Sequence, residues 1–312
     1  MHSPHPATSS TATPAQPLVS VIILNYNGAQ FIKNCLNTVL NDHYHPREII
    51  LVDNHSTDES MSLAREFQDQ ITIMENEENY GFPKGCNVGI RHSAGEIIVL
   101  LNVDTIVLPG WLQALVETFN QDHTIGIVGS KIFFMDGKTL QYAGGGIRPN
   151  GLTYHDGYGA PDDPKYNHFT DVEYATGASV AIRRDLLDHT GGLDEGFPLY
   201  FEDVDICFTA RTLGYRVVYQ PQSMIHHFET FGTPKKSLKF YYKYHRGRIR
   251  LILKHFGIRY FLQTFVPSEV QWYKNGKPGK QFPALFAVYL TQLPKAPYFW
   301  IKGFFRRRRS GS

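Results

Sequence analysis

The sequence has little cysteine and no pairing pattern for what there is. Cys35, Cys86 and Cys207 lie far apart, form no CxxC pair and are odd in number. That excludes a disulfide framework and points to a reducing compartment. Lone cysteines of this kind read as small buried apolar residues. No uninterrupted apolar run reaches the ~18 residues of a membrane-spanning helix. The first 17 residues, rich in Ser, Thr, Pro and Ala, lack a cationic start followed by an apolar stretch. They read as a disordered leader rather than a signal peptide. GxGxxG is missing after the first strand, and so is a P-loop, which argues against a nicotinamide enzyme and a P-loop ATPase. Acids are almost missing from the end of the chain. Residues 235–312 hold 18 Lys and Arg and one acid, Glu269, so they carry +17, while the remainder carries −15 and the whole only +2.

The basic segment is also aromatic. It includes Trp272, Tyr298, Phe299 and Trp300 and ends in Arg306–Arg309. The stretch 282–305 is broken by Pro294 and Pro297 and carries Lys295 and Lys302. It reads as amphipathic helix lying on an anionic membrane surface, where each basic residue contributes about 1 kcal/mol. A solvated tail is the bland alternative, and a nucleic-acid partner is not expected.

The 312 residues, 42% of them hydrophobic, suffice for one large α/β domain. Strand and helix patterns alternate over the first hundred ordered residues. Strands are expected at 19–24, 48–52, 71–74 and 96–101, as apolar runs suited to burial on both faces. Helices are expected at 29–40, 57–67 and 85–93, the second capped by Ser56 or Thr57. This order predicts a doubly wound, mostly parallel sheet with crossover helices. Such sheets bind ligands beyond the carboxyl ends of their strands. Polar residues fall there three times, as Asn25-Tyr26-Asn27, Asp53-Asn54 and Asn102-Val103-Asp104. Each alone is also a turn signal. Together they predict a site for a single nucleobase.

Two acid groups carry the candidate chemistry. Asp104, at a strand end, is a hard-oxygen ligand suited to Mg2+ or Mn2+ bridging a diphosphate, or else a cap for the following helix. Glu202-Asp203-Val204-Asp205 crowds three acids among apolar residues. Crowded carboxylates raise one another's pKa and so yield a general base. Acids at a helix N-terminus also arise for structural reasons, so both readings stay open. His226-His227 follows an expected strand at 216–220 and offers an imidazole to a metal, or is simply structural.

These segments resemble the family 2 glycosyltransferases of GT-A fold, particularly their rhamnosyltransferase-like branch. The matching stretches are VSVIILNYNG, ILVDNHSTDES, NYGFPKGCNVGI, GEIIVLLNVDT, TGASVAIRR and GGLDEGFPLYFEDVDICFTARTLGYRVVY. They keep the family order and span Val19 to His227. The resemblance implies a nucleotide-binding half at 18–104, an acceptor and catalytic half at 105–232, and a basic helical region at 233–312. It implies that Leu24 and Tyr26 line the nucleobase pocket and Asp53 reads the base. Lys84 and Asn87 would face the nucleotide. Asp104 would hold a divalent cation, with His226 or His227 as a further ligand. Asp203, beside Glu202, would be the catalytic base, with Asp205, Thr176 and Gly177 on the acceptor side.

There are departures. Asn102 replaces the first acid of the DxD-type motif, Pro83 replaces a small residue, and Tyr244-His245-Arg246-Gly247 stands where Arg-Asn is common. The expected activity is inverting transfer of a hexose from a nucleotide sugar, dTDP-rhamnose or a UDP-sugar. The expected acceptor is a hydroxyl of a saccharide or lipid-linked saccharide, at the cytoplasmic face of the membrane. The rival reading is a catalytically silent binding protein of the same fold.

Overall fold

The computed structural model describes residues 16–197, 199–228, 237–276 and 278–309, with side chains as far as Gly303. Most of the expected leader, the junction at 233–236 and the Arg306–Arg309 side chains lie outside the described residues.

Four parallel strands open the chain: β1 (Val19–Asn25), β2 (Arg47–Asp53), β3 (Thr72–Glu75) and β4 (Ile97–Asn102), in the spatial order β3-β2-β1-β4. Helices α1 (Ile32–Leu40), α2 (Ser60–Ala64) and α3 (Gly81–His92) make the crossovers. Gly85 and Gly89, one turn apart, let α3 lie almost on the sheet. A Cβ on either would stand 2.6 Å from Leu24 or Ile22 of β1. Pro83 sits in the first turn of α3, where a missing N–H costs no helical hydrogen bond.

The expected helix 57–67 is shorter than its pattern, because α2 starts only at Ser60. Thr57 N–H donates to Asn27 Oδ1 (2.8 Å) and Ser56 Oγ donates to Asp53 (2.6 Å), which holds the chain in a loop. Asp58 then accepts from the Ser60 and Ala29 amides.

The second half continues the same sheet with mixed directions. β5 (Thr105–Val107) and α4 (Trp111–Gln121) lead to β6 (Ile125–Phe134). Short strands β7 (Leu140–Tyr142) and β10 (Thr170–Asp171) pair with β6 and β12 at the edge of the sheet, while β8 (Gly145–Ile147) and β9 (Thr153–His155) form a separate hairpin pair. β11 (Ser179–Arg183) inserts between β4 and β6, antiparallel to both. Helices α5 (Arg184–Thr190) and α6 (Glu202–Thr212) precede β12 (Arg216–His227), which runs parallel to β6. The main sheet has ten strands, and an apolar core lies on each face.

β12 does not stop at residue 220. Its register shifts between Gln220 and Met224, around Pro221, and the strand then resumes to His227. A bulge is how a strand absorbs a proline without ending.

The basic region is helical and anchored. It comprises α7 (Leu238–His255), α8 (Ile258–Tyr260), α9 (Val266–Lys274), α10 (Phe282–Gln292) and α11 (Ala296–Arg309). A third core gathers Ile249, Ile252, Phe265, Val288 and Phe299. At its centre Arg248, fully buried, donates two bonds to Glu269 (2.8 and 2.6 Å) and one to the Asn150 carbonyl (2.8 Å). Asn150 and Tyr289 also donate to Glu269. The one acid of the basic segment is therefore spent inside it. Breaking one side of a buried pair strands the other charge, so Glu269→Gln is expected to cost about 3–5 kcal/mol in urea unfolding. Arg248→Met with Glu269→Leu should recover most of that loss.

Candidate active site

The crevice opens where β1, β2 and β4 end. Asn25 and Asp53 stand side by side in the register and are buried. Asn25 Nδ2 donates to Asp53 Oδ1 (2.7 Å) and to Ser60 Oγ (2.9 Å), while Ser56 N–H donates to Asp53 Oδ2 (2.8 Å). This web fixes the Asp53 carboxylate. Tyr26 is 52% exposed over it, an open aromatic face, and Leu24 is half-buried beside Gly85. Lys84 is half-buried with its ammonium 3.5 Å from the centre of the Tyr80 ring.

Asn87 stands apart from that edge. It is 3% exposed, with both amide hydrogens committed to Leu193 O (2.9 Å) and Glu195 Oε1 (3.0 Å), and its oxygen accepts from Leu193 N–H. It bolts α3 to the 191–195 loop.

β12 delivers its histidines to opposite sides. His227 pairs with Thr105 across β5, and Phe228 N–H donates to Asp104 O. His227 Nδ1 donates to Gln141 Oε1 (2.8 Å), an oxygen that can only accept. Its Nε2 accepts from Asn102 Nδ2 (3.3 Å) and lies 3.2 Å from Asp104 Oδ1. The Nε2 atom thus stands beside a carboxylate oxygen, and an imidazole nitrogen with a carboxylate is a divalent-metal donor set. Asn102 supports the imidazole in place of supplying a carboxylate. His226 does not join this pair. It lies beside Gly137 and edge-on to Phe133 at 6.0 Å, where burial lowers its pKa.

The acid cluster forms the first turn of α6. Tyr200 and Phe201, just before it, both have left-handed backbones (φ 68° and 74°). Asn27 and His55 share that conformation, so among the described non-glycine residues all four cases border the crevice. Such strain concentrates at functional sites.

The three carboxylates meet different fates. Asp203 is partly exposed and accepts from the Gly177 N–H (3.0 Å) and from the Val204 N–H (2.8 Å). Burial raises its pKa, and those amides and the nearby His155 oppose the rise. Glu202 is buried and its Oε2 has no partner. Burial first, then the neighbouring Asp203, push its pKa up to about 8. Asp205 corrects an expectation. It lies behind the crevice, not on the acceptor side, and is buried against Lys254 Nζ (2.6 Å) and His255 Nε2 (2.7 Å) of α7. Lys254 also binds Asp194 (2.7 Å), which Arg250 grips as well. Thr176 is half-buried and precedes Gly177, whose amide holds Asp203.

Gln141 and His155 carry no signal in the sequence. Gln141 is buried, and its backbone oxygen accepts from His155 Nδ1 (3.0 Å) while its side chain orients His227. One residue thus ties the Asp104 edge to the Asp203 edge.

Comparison with known proteins gives the family and the fold. The family model for glycosyl transferase family 2 matches residues 20–191, more than half of the chain. The chain belongs to glycosyl transferase family 2. An uncharacterized protein of Sinorhizobium fredii is 27% identical over 241 residues, 72% of this chain and 26% of the relative. The O-antigen biosynthesis protein RfbC of Myxococcus xanthus is 28% identical over 224 residues, 69% of this chain and 17% of the relative. The chain therefore spans only a small part of the length of those two relatives. A mannosyltransferase from Pyrobaculum calidifontis, solved with GDP-Man and Mn2+, superposes with a TM-score of 0.57 at 19% identity, covering 93% of this chain and 80% of that one. The fold is that of GT-A family 2 members.

Glu202 gives a pH test. Its folded-state pKa is above the unfolded value of about 4.3, so the fold must hold a proton that the unfolded chain releases. This penalty is nil below about pH 4, grows as pH rises and levels off near 8. Glu202→Gln is expected to stabilise the protein by a few kcal/mol at pH 7–8 and hardly at pH 4, read from urea midpoints.

Proposed function

We propose that this protein is an inverting glycosyltransferase that moves a hexose from a nucleoside-diphosphate donor to a hydroxyl of a saccharide or lipid-linked saccharide. The observation that carries it is the partly open Asp203, held by the Gly177 amide across the crevice from the fixed Asp53 carboxylate. Asp53 accepts an N–H of the base, and Tyr26 offers a face for stacking. Asp104 and His227 would hold a divalent cation, Mg2+ or Mn2+, which when bound would supply positive charge for a departing diphosphate. The relative solved with GDP-Man and Mn2+ supports that choice.

Asp203 takes the proton of the acceptor hydroxyl as its oxygen attacks the anomeric carbon. The bond to the diphosphate breaks on the opposite face, so the configuration inverts. Glu202, protonated beside it, spares the turn a third negative charge. The donor is read as dTDP-rhamnose or a UDP-sugar, and the role as cell-surface polysaccharide synthesis. The O-antigen name of the Myxococcus relative supports that role. The +17 region favours a peripheral position on the inner face of the membrane.

Asp203→Asn is expected to lower turnover roughly 10²–10⁴-fold with donor binding intact, measured as nucleoside-diphosphate release. Near wild-type turnover would remove Asp203 from the role of base. Asp104→Ala should instead weaken donor binding only when Mn2+ is present. Full activity in EDTA would contradict the metal.

A further inference from the structure

The helical region has more apolar surface than its fold requires. Of seventeen exposed large hydrophobic side chains among the described residues, nine lie between Ile258 and Ile301. They are ordered, not scattered. Phe282, Phe286 and Leu290 of α10 recur every fourth residue and are 51–62% exposed. Val266 and Val270 of α9, with Leu262 before them, repeat the spacing. The opposite face of α10 is already satisfied, since Leu285 and Val288 are fully buried, Val288 in the third core. A helix apolar on both sides must bury the second side against something. Tyr273 of α9 meets Phe282 edge-on at 6.1 Å, so the two stripes adjoin.

The charge around the stripes has one sign. Lys274, Lys280 and Lys295 at the helix ends are exposed, and none pairs with an acid among the described residues. The region's single acid is sequestered on Arg248. Among the described residues no helix is long and apolar enough to cross a membrane. An apolar strip rimmed by unpaired cations matches a headgroup–acyl boundary with negative lipid.

We propose that α9 and α10 form a lipid-docking face that inserts Phe282, Phe286 and Leu290 into an anionic membrane. This rests on the peripheral-membrane part of the reading above and not on glycosyl transfer. α7 packs on α10 and also holds Asp205 and Asp194, so docking would fix the crevice relative to the lipid surface.

The test is co-sedimentation of the full chain with vesicles of phosphatidylcholine, alone or with roughly 30% phosphatidylglycerol. Wild type should bind the mixed vesicles, weakly bind the neutral ones, and release partly in high salt. Phe282→Ser, Phe286→Ser and Leu290→Ser together should cut binding roughly tenfold or more, with near-ultraviolet dichroism and donor hydrolysis retained. If that variant loses its fold signal, Phe286→Ser alone is measured and should still weaken binding severalfold. Wild type that ignores anionic vesicles would overturn both the face and the peripheral position. Wild-type binding by a folded stripe variant would overturn the face alone. An oligomer that the variant dissolves, with vesicle binding unchanged, would assign the stripes to a second copy of this chain.

Discussion

Three carboxylates in the first turn of α6 cannot all be ionised and buried together without compensation, and much of the second half of the molecule answers that constraint. Asp205 is neutralised by Lys254 and His255, which requires α7 to cross behind α6. Asp203 is held by two backbone N–H groups, which requires the Gly177 turn to sit beneath it. Glu202 keeps its proton. Helix-dipole stabilisation at the N-terminus favours all three but is too weak to carry a buried trio alone. The result is one acid that faces solvent with its charge state open to change.

The same constraint explains why the basic region is not an appendage. Asp194 and Asp205 draw two cations, Arg250 and Lys254, and the His255 imidazole from one stretch of α7, and Arg248 on the same helix faces the other way to meet Glu269. α7 is charged on two faces and apolar between them. It joins the catalytic helix to the α9–α10 layer through ionic contacts on one side and packing on the other.

The parallel half of the fold was legible because its strands are unbroken apolar runs ended by polar residues, and because six short motifs keep their order. Asp53, Tyr26 and Asp104 lie where that pattern placed them. Other features were not legible for definite reasons. Asp203 and Asp205 are identical in type and two residues apart, so only the helix phase tells which one meets α7. The reach of β12 past Pro221 was hidden because a proline reads as a strand end. The antiparallel β11 has the same apolar composition as its parallel neighbours. Gln141 is a lone polar residue in a three-residue strand, and the histidines it holds come from chain segments 14 and 86 residues away.

The irregularity at Gln220–Met224 has a consequence for lineage as well as for geometry. Side chains along a strand alternate, so the number of residues in that bulge fixes the parity of everything after it. With one residue more, His226 and not His227 would turn toward Asp104, and the adjacent pair makes such an exchange unusually mild. Two neighbouring imidazoles thus give this segment a tolerance to single-residue insertion that one histidine would not.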